Sequence, residues 1–142
     1  MPMVVRPATL DDAAELAELI AEFNGPQGDA GETAARLVAC NGLEVALIAW
    51  EATEVAGFAC LRVTPALASR TPHALLTELY VREAFRRRGV ARALVELAES
   101  LARDQGATEL FLFTGRQNTG AQTFYEQLGF ESRSITYQKP IV

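Results

Sequence analysis

Cysteine and histidine are scarce, with two cysteines and one histidine in 142 residues. Cys40 and Cys60 have neither CxxC nor metal-ligand spacing, and a lone histidine, His73, cannot complete a zinc site. No metal is expected, and both thiols read as buried structural groups. Long apolar runs are missing too. The longest tidy one, residues 45–50, is far too short to cross a bilayer. The N-terminus has neither the basic patch nor the apolar core of a secretory signal, which predicts a cytoplasmic protein with no membrane partner. Positive charge is in deficit, 13 Lys and Arg against 18 Asp and Glu, for a formal net charge of −5. That argues against nucleic-acid binding, which needs phosphate contacts spread over a surface.

What remains is ordinary for a soluble globular chain, with 49% apolar and 22% charged residues. The length suits a single domain over residues 1–142 with one continuous core. Internal repeats and low-complexity tracts are absent.

Residues 4–6 predict a first strand. Thr9 can cap a helix whose first turn holds Asp12. Ala13, Leu16, Ala17, Ile20 and Phe23 then recur on one helical face until Gly25 stops the run. Residues 25–31 form a loop by composition, and residues 32–40 a short helix. Residues 43–50 and 54–63 suggest an antiparallel hairpin. Residues 74–81 make another strand, whose alternation puts Glu78 and Tyr80 on one face and Leu79 and Val81 on the other. Val90, Leu94, Leu97, Ala98 and Leu101 form a helical stripe ending at Gly106, and residues 108–114 a following buried strand. The crossover predicts a parallel pair. Residues 121–128 predict a further helix, with Gly129 as a left-handed cap and Phe130 folding back on Phe124 or Tyr125. Residues 135–139 read as a closing strand.

One stretch departs from the acidic average. Arg82, Arg86, Arg87, Arg88 and Arg92 place five of thirteen cationic residues within eleven positions, where an apolar strand hands over to an amphipathic helix. The first N–H groups of a helix lack internal partners and carry partial positive charge, so an anion satisfies both. Gly89 lets it approach the backbone. Arginine at a helix start opposes the dipole, and a phosphate would relieve that cost. Such a cluster is sized for one small polyanion.

The order Arg86-x-x-Gly89-x-Ala91 follows Leu79-Tyr80-Val81, and downstream come Asn118 and Ala121-Gln-Thr-Phe-Tyr125-Glu-Gln-Leu-Gly-Phe130. Together these resemble, over roughly residues 75–138, the motifs of the GCN5-related N-acetyltransferase (GNAT) superfamily. The N-terminal half resembles it mainly in its order of elements. The resemblance implies an α/β fold with a mixed, mostly antiparallel central sheet of six to seven strands flanked by helices. It implies acetyl-CoA as cosubstrate, held by the backbone of Leu79, Tyr80 and Val81 along the pantetheine. Arg86, Arg87, Arg88, Gly89, Val90, Ala91 and Arg92 would hold the pyrophosphate, and Asn118 would lie near the pantetheine. A homodimer is expected from the resemblance and from a closing strand whose edge must be protected.

Tyr125 matches the family's usual general acid for the departing thiolate, against a plain core aromatic. Glu78 could hold the substrate ammonium or accept its proton. Some family members carry paired acids at this point, whereas Thr77 precedes Glu78 here, which weakens the case for Glu78 as a direct base. Tyr80 could line the same pocket, His73 reads as an incidental loop residue, and Trp50 as a core or pocket-edge aromatic. The expected activity is acetyl transfer to a primary amine of a small molecule or peptide, directly within a ternary complex, since no cysteine sits where a covalent intermediate would form. The rival of another class is a non-catalytic acyl-CoA-binding regulatory module. A nucleotide-binding loop is disfavoured by the lack of Gly-Lys-Ser/Thr or Gly-x-Gly-x-x-Gly.

Overall fold

The computed structural model describes residues 2–141. Its elements run β1 (Met3–Pro7), a 3-10 turn (Leu10–Asp12), α1 (Ala13–Asn24), α2 (Ala30–Ala39), β2 (Val45–Glu51), β3 (Glu54–Thr64) and β4 (His73–Val81). A second 3-10 turn (Glu83–Phe85), α3 (Val90–Asp104), β5 (Leu110–Leu112) and α4 (Thr119–Gln127) follow. The chain divides into two compact units, Met1–Phe111 and Leu112–Val142. The sheet has the order β1-β2-β3-β4-β5, with β1 to β4 an antiparallel meander. It therefore has five strands, not six to seven. The expected closing strand at 135–139 is not formed, and Ile135 and Tyr137 are exposed. Alternation alone does not make a strand, because unpaired backbone groups gain nothing from the extended form. The edge-protection ground for a homodimer goes with it. Among the described residues no helix is long and apolar enough to cross a membrane.

Pleating sends successive side chains to opposite faces, and both faces of the central strands are buried. On one face Ile48, Val55 and Phe58 pack with Leu16 and Leu19 of α1, with Trp50, Cys60 and Tyr80 at the margin. One residue out of phase, Leu47, Ala59 and Leu61 are buried on the other face. There α3 lies across β1 to β4 and buries Val90, Leu94, Val95, Ala98 and Ala102. Leu97 and Leu101, expected in that stripe, are only partly buried. His73 opens β4 instead of lying in a loop, and Cys40 is partly exposed instead of buried, whereas the Cys60 thiol is desolvated in a residue of intermediate exposure.

Two irregularities shape the sheet. Gly57 faces Ala49 and Val81, and a Cβ there would lie 2.5 Å from the Tyr80 carbonyl oxygen, so β3 and β4 approach closely only because the position is glycine. Farther along, Cys60 opposes Glu78 but Leu61 opposes Leu76, so Thr77 is an extra residue on β4. This is a β-bulge, a device that re-aims neighbouring side chains.

The entry to α1 rests on Asp12. Its carboxylate accepts two hydrogen bonds from Arg6, at 2.7 and 2.9 Å, and one from the Thr9 amide at 2.7 Å. Thr9 is the N-cap of the 3-10 turn that leads into α1, as the sequence suggested, and Asp12 completes the capping box by accepting from the Thr9 amide. The Arg6 hydrogen bonds, assisted by Thr9 and opposed by burial, hold the Asp12 carboxyl below the usual carboxylate range. Because the folded pKa is depressed, this stability is present above the ordinary value of about 3.9 and is lost as pH falls through the lower folded value. Removing one partner of a buried pair costs about 3–5 kcal/mol, but Arg6 is 40% exposed and can recover water. Asp12→Ala should therefore cost about 2 kcal/mol in urea unfolding at neutral pH. The deficit should shrink in acid, where wild-type Asp12 is itself protonated. A pH-independent deficit would mean packing, not charge, holds this corner.

Candidate active site

The basic stretch joins β4 to α3. Its arginines do different things. Arg82 is a structural staple, with Nε on the Glu22 carboxylate, Nη2 on Glu18 and Nη1 on the Val55 carbonyl. Arg86 donates from Nε to the Val81 carbonyl at 2.9 Å and lies 6.0 Å from the Tyr80 ring centroid. Arg88 reaches Glu51 at 2.8 Å and sits over the Phe85 ring. Arg87 and Arg92 are exposed and have no side-chain hydrogen bond among the described residues. The sequence grouped the five as one cluster; the fold ties down three of them.

The backbone here is unusual. Arg87 has φ 64° and Gly89 φ 84°, two left-handed residues within three positions. Left-handed residues are a component of the nests in which successive N–H groups bind an anion. Arg86 N–H is paired with the Glu83 carbonyl, and the next amide to find a protein acceptor is that of Ala93, on Gly89. Among the described residues the six amides of residues 87–92 donate to no protein atom. Three of them, from Val90, Ala91 and Arg92, are the open first turn of α3. Nothing lies within 4 Å of where a Gly89 Cβ would be. The glycine is required by its φ and leaves open space beside the amides.

β5 is three residues against nine in β4, so it cannot cover the whole of that strand's edge. Backbone at Leu79, Tyr80 and Val81 lies at the end nearer the basic loop. As expected, Glu78 and Tyr80 share the face carrying α1, with Val81 buried on the other. The Tyr80 ring stacks on Phe23, with centroids 5.3 Å apart, and its hydroxyl donates to Glu22. Burial first, then Glu22, pushes its phenol up. Its side chain is thus committed to α1.

Glu78 sits beside the bulge. Burial, and then the neighbouring Glu44 carboxylate, raise its pKa above the ordinary value, while Asn24 at the end of α1 pulls the other way. Glu44 was not singled out from sequence. It accepts from Thr77 Oγ1 at 2.7 Å and from Arg62 Nε at 2.9 Å, both on one oxygen. Thirty-three residues separate it from Thr77, so no local motif could have announced it. Cys60, opposite Glu78, has its thiol pushed up by burial and by both carboxylates, which makes it a poor nucleophile.

In the C-terminal unit, Asn118 is the N-cap of α4 and accepts from the Ala121 amide at 3.1 Å. Tyr125 lies on α4, edge-on to Phe130 at 5.9 Å and near Phe124 at 5.6 Å. Gly129 takes φ 96°, letting Phe130 turn back and donate its amide to the Tyr125 carbonyl. Burial raises the Tyr125 pKa, so the phenol keeps its proton at neutral pH. His73 contacts only the edge of Phe111 among aromatic rings and takes no part in these groupings.

Comparison with known proteins speaks to the family and the fold. Residues 11–130 match the model of the Acetyltransferase (GNAT) family. The uncharacterized N-acetyltransferase YhfO of Bacillus subtilis is 33% identical over 136 residues, covering 91% of this chain and 90% of that protein. Plant, human and archaeal N-acetyltransferases match more locally, over 25–27% of their own length. The ribosomal-protein-alanine N-acetyltransferase of Brucella melitensis superposes with a TM-score of 0.85 over 99% of this chain and all of that one, at 22% identity. AAC(6')-Iy, in complex with the bisubstrate analog CoA-S-monomethyl-acetylneamine, gives 0.84 over 99% and 100%, also at 22% identity. Those two likenesses speak to the fold, whereas the family model covers most of the sequence, including the basic loop and the Tyr125 helix. The chain belongs to the GNAT acetyltransferase family.

Proposed function

We propose that this protein transfers the acetyl group of acetyl-CoA to a primary amine, directly and without a covalent enzyme intermediate. The observation that carries the reading is the run of six amides at residues 87–92 with no protein acceptor among the described residues, in a loop with left-handed Arg87 and Gly89. A pyrophosphate fits that donor set, and Arg87 and Arg92 have side chains free to add charge. Arg86 and Arg88 would serve by holding the loop in shape. The backbone of β4 at Leu79, Tyr80 and Val81 would receive the pantetheine as a neighbouring strand would, and Asn118 would contribute to holding the cosubstrate. When bound, the cosubstrate supplies an acetyl group activated as a thioester.

The protein's own residues would handle protons. An amine attacks only when neutral, so the ammonium must first lose a proton. Glu78, whose raised pKa makes it a stronger base than an ordinary carboxylate, would accept it directly or through water. Tyr125, neutral at working pH, would return a proton to the departing thiolate. Cys60, with its raised pKa, is unsuited to carry the acyl group.

Thermal melting tests the cofactor reading. CoA at about 100 times its dissociation constant should add roughly 2.7 kcal/mol of stability. Gly89→Val, which forces a branched side chain into a left-handed conformation and fills the open space, should weaken CoA binding about tenfold or more. Arg103→Ala, near the far end of the same helix, should leave it unchanged. No shift with millimolar CoA would overturn the reading, and equal effects of the two substitutions would reduce Gly89 to a structural residue.

A further inference from the structure

We propose that Glu44 is a positioning residue which, anchored through Thr77 to the bulge of β4, keeps a second negative charge beside Glu78 and makes Glu78 a better proton acceptor for an incoming ammonium. The inference rests on the acetyltransferase reading above and adds a residue to it.

The chain builds this contact in three steps. The turn after α2 is closed by Leu43 and Glu44 amides donating to the Cys40 carbonyl, which sets Glu44 at the mouth of β2. The bulge then places Thr77, the residue before Glu78, where its hydroxyl reaches Glu44 at 2.7 Å and the Cys60 carbonyl at 3.3 Å. Finally Arg62 of β3 holds the same Glu44 oxygen. The Glu44 side chain is only 18% exposed, while that of Arg62 is 56% exposed. Water therefore screens the cation more than it screens the carboxylate. The groups that act on Glu78 are Glu44 ahead of β2 and the neutral Asn24 of α1, with Cys60 of β3 opposite it, while Cys40 and Arg62 act on Cys60. Cys60 is held in its uncharged thiol form, so Glu44 is the anionic neighbour that acts on Glu78. A like charge disfavours ionisation, and a base of higher pKa takes a proton from an ammonium more readily.

The test follows the Glu78 carboxyl carbon by NMR in CoA-free, full-length protein enriched with carbon-13 glutamate, assigned by its loss in Glu78→Gln. In Glu44→Gln, which keeps an oxygen for Thr77 but removes the charge, the Glu78 titration midpoint should move to lower pH. Thr77→Val should move it the same way, because the freed carboxylate swings toward solvent and Arg62, and Thr77→Ser, which keeps the hydroxyl, should restore the wild-type midpoint. In assays with an amine that is turned over, the acidic limb of kcat against pH should follow these midpoints, with KM for acetyl-CoA unchanged. An unmoved midpoint in Glu44→Gln, or Thr77→Ser titrating like Thr77→Val, overturns the proposal. A failure to bind CoA or acetylate any amine would overturn the acetyltransferase reading instead, and the NMR midpoints would still decide the role of Glu44.

Discussion

Gly57→Val should destabilise the protein by about 3 kcal/mol or more, since overpacking a fixed site costs at least that when nothing can give way. In a domain of this size that lowers the melting temperature by roughly 10 °C. The added Cβ would stand 2.5 Å from the Tyr80 carbonyl oxygen and 3.1 Å from the Val81 Cα. Both are backbone atoms, so relief requires β3 and β4 to separate. They cannot do so cheaply, because the Arg82 amide is bonded to the Ala56 carbonyl and the Arg82 side chain clips the same corner to α1. Separation would also displace Val81, whose carbonyl holds Arg86, so CoA affinity should fall together with stability. Gly120→Ala is the control. Nothing lies within 4 Å of its would-be Cβ in α4, and alanine there should gain about 0.5–1 kcal/mol from helix propensity. If calorimetry finds the two variants melting alike, close approach at Gly57 is not what limits this sheet.

Tyr125→Phe should lower kcat by about 100-fold or more at neutral pH while leaving CoA binding and melting temperature nearly unchanged. The substitution keeps the ring that meets Phe124 and Phe130. No hydrogen bond of the Tyr125 hydroxyl is found among the described residues, so its removal orphans no partner. What is lost is a phenol that burial keeps protonated and therefore able to donate. Steady-state kinetics with thiol release as the readout separates the cases. Loss in kcat with unchanged KM for acetyl-CoA identifies the acid. Full activity would show that solvent or another donor protonates the thiolate. Tight CoA binding without turnover of any amine in the wild type would favour a non-catalytic acyl-CoA-binding module.

Much of this protein was written locally. The helix at α3, the glycine at its start and the arginines before it are fixed by short-range rules of capping, dipole and φ, so residues 86–92 could be singled out in the linear chain. The alternation in β4 placed Glu78 and Tyr80 together for the same reason, as the period of a strand needs no knowledge of its neighbours. The Tyr125 helix and its Gly129 turn were legible in the same way. Long-range pairing was not. Whether an arginine is a staple or a ligand depends on carboxylates up to 64 residues away, as with Arg82 and Glu18. Whether residues 135–139 become a strand depends on pairing with another edge, and they form no strand here. The bulge at Thr77 exists only as an offset between two strands, and Glu44 meets Thr77 only after β2, β3 and β4 have stacked in register. Sequence set the identity and local shape of each group; the surroundings that decide which charge is compensated, which proton is held and which amides stay open came from tertiary contacts, because electrostatic environment is a property of spatial neighbours.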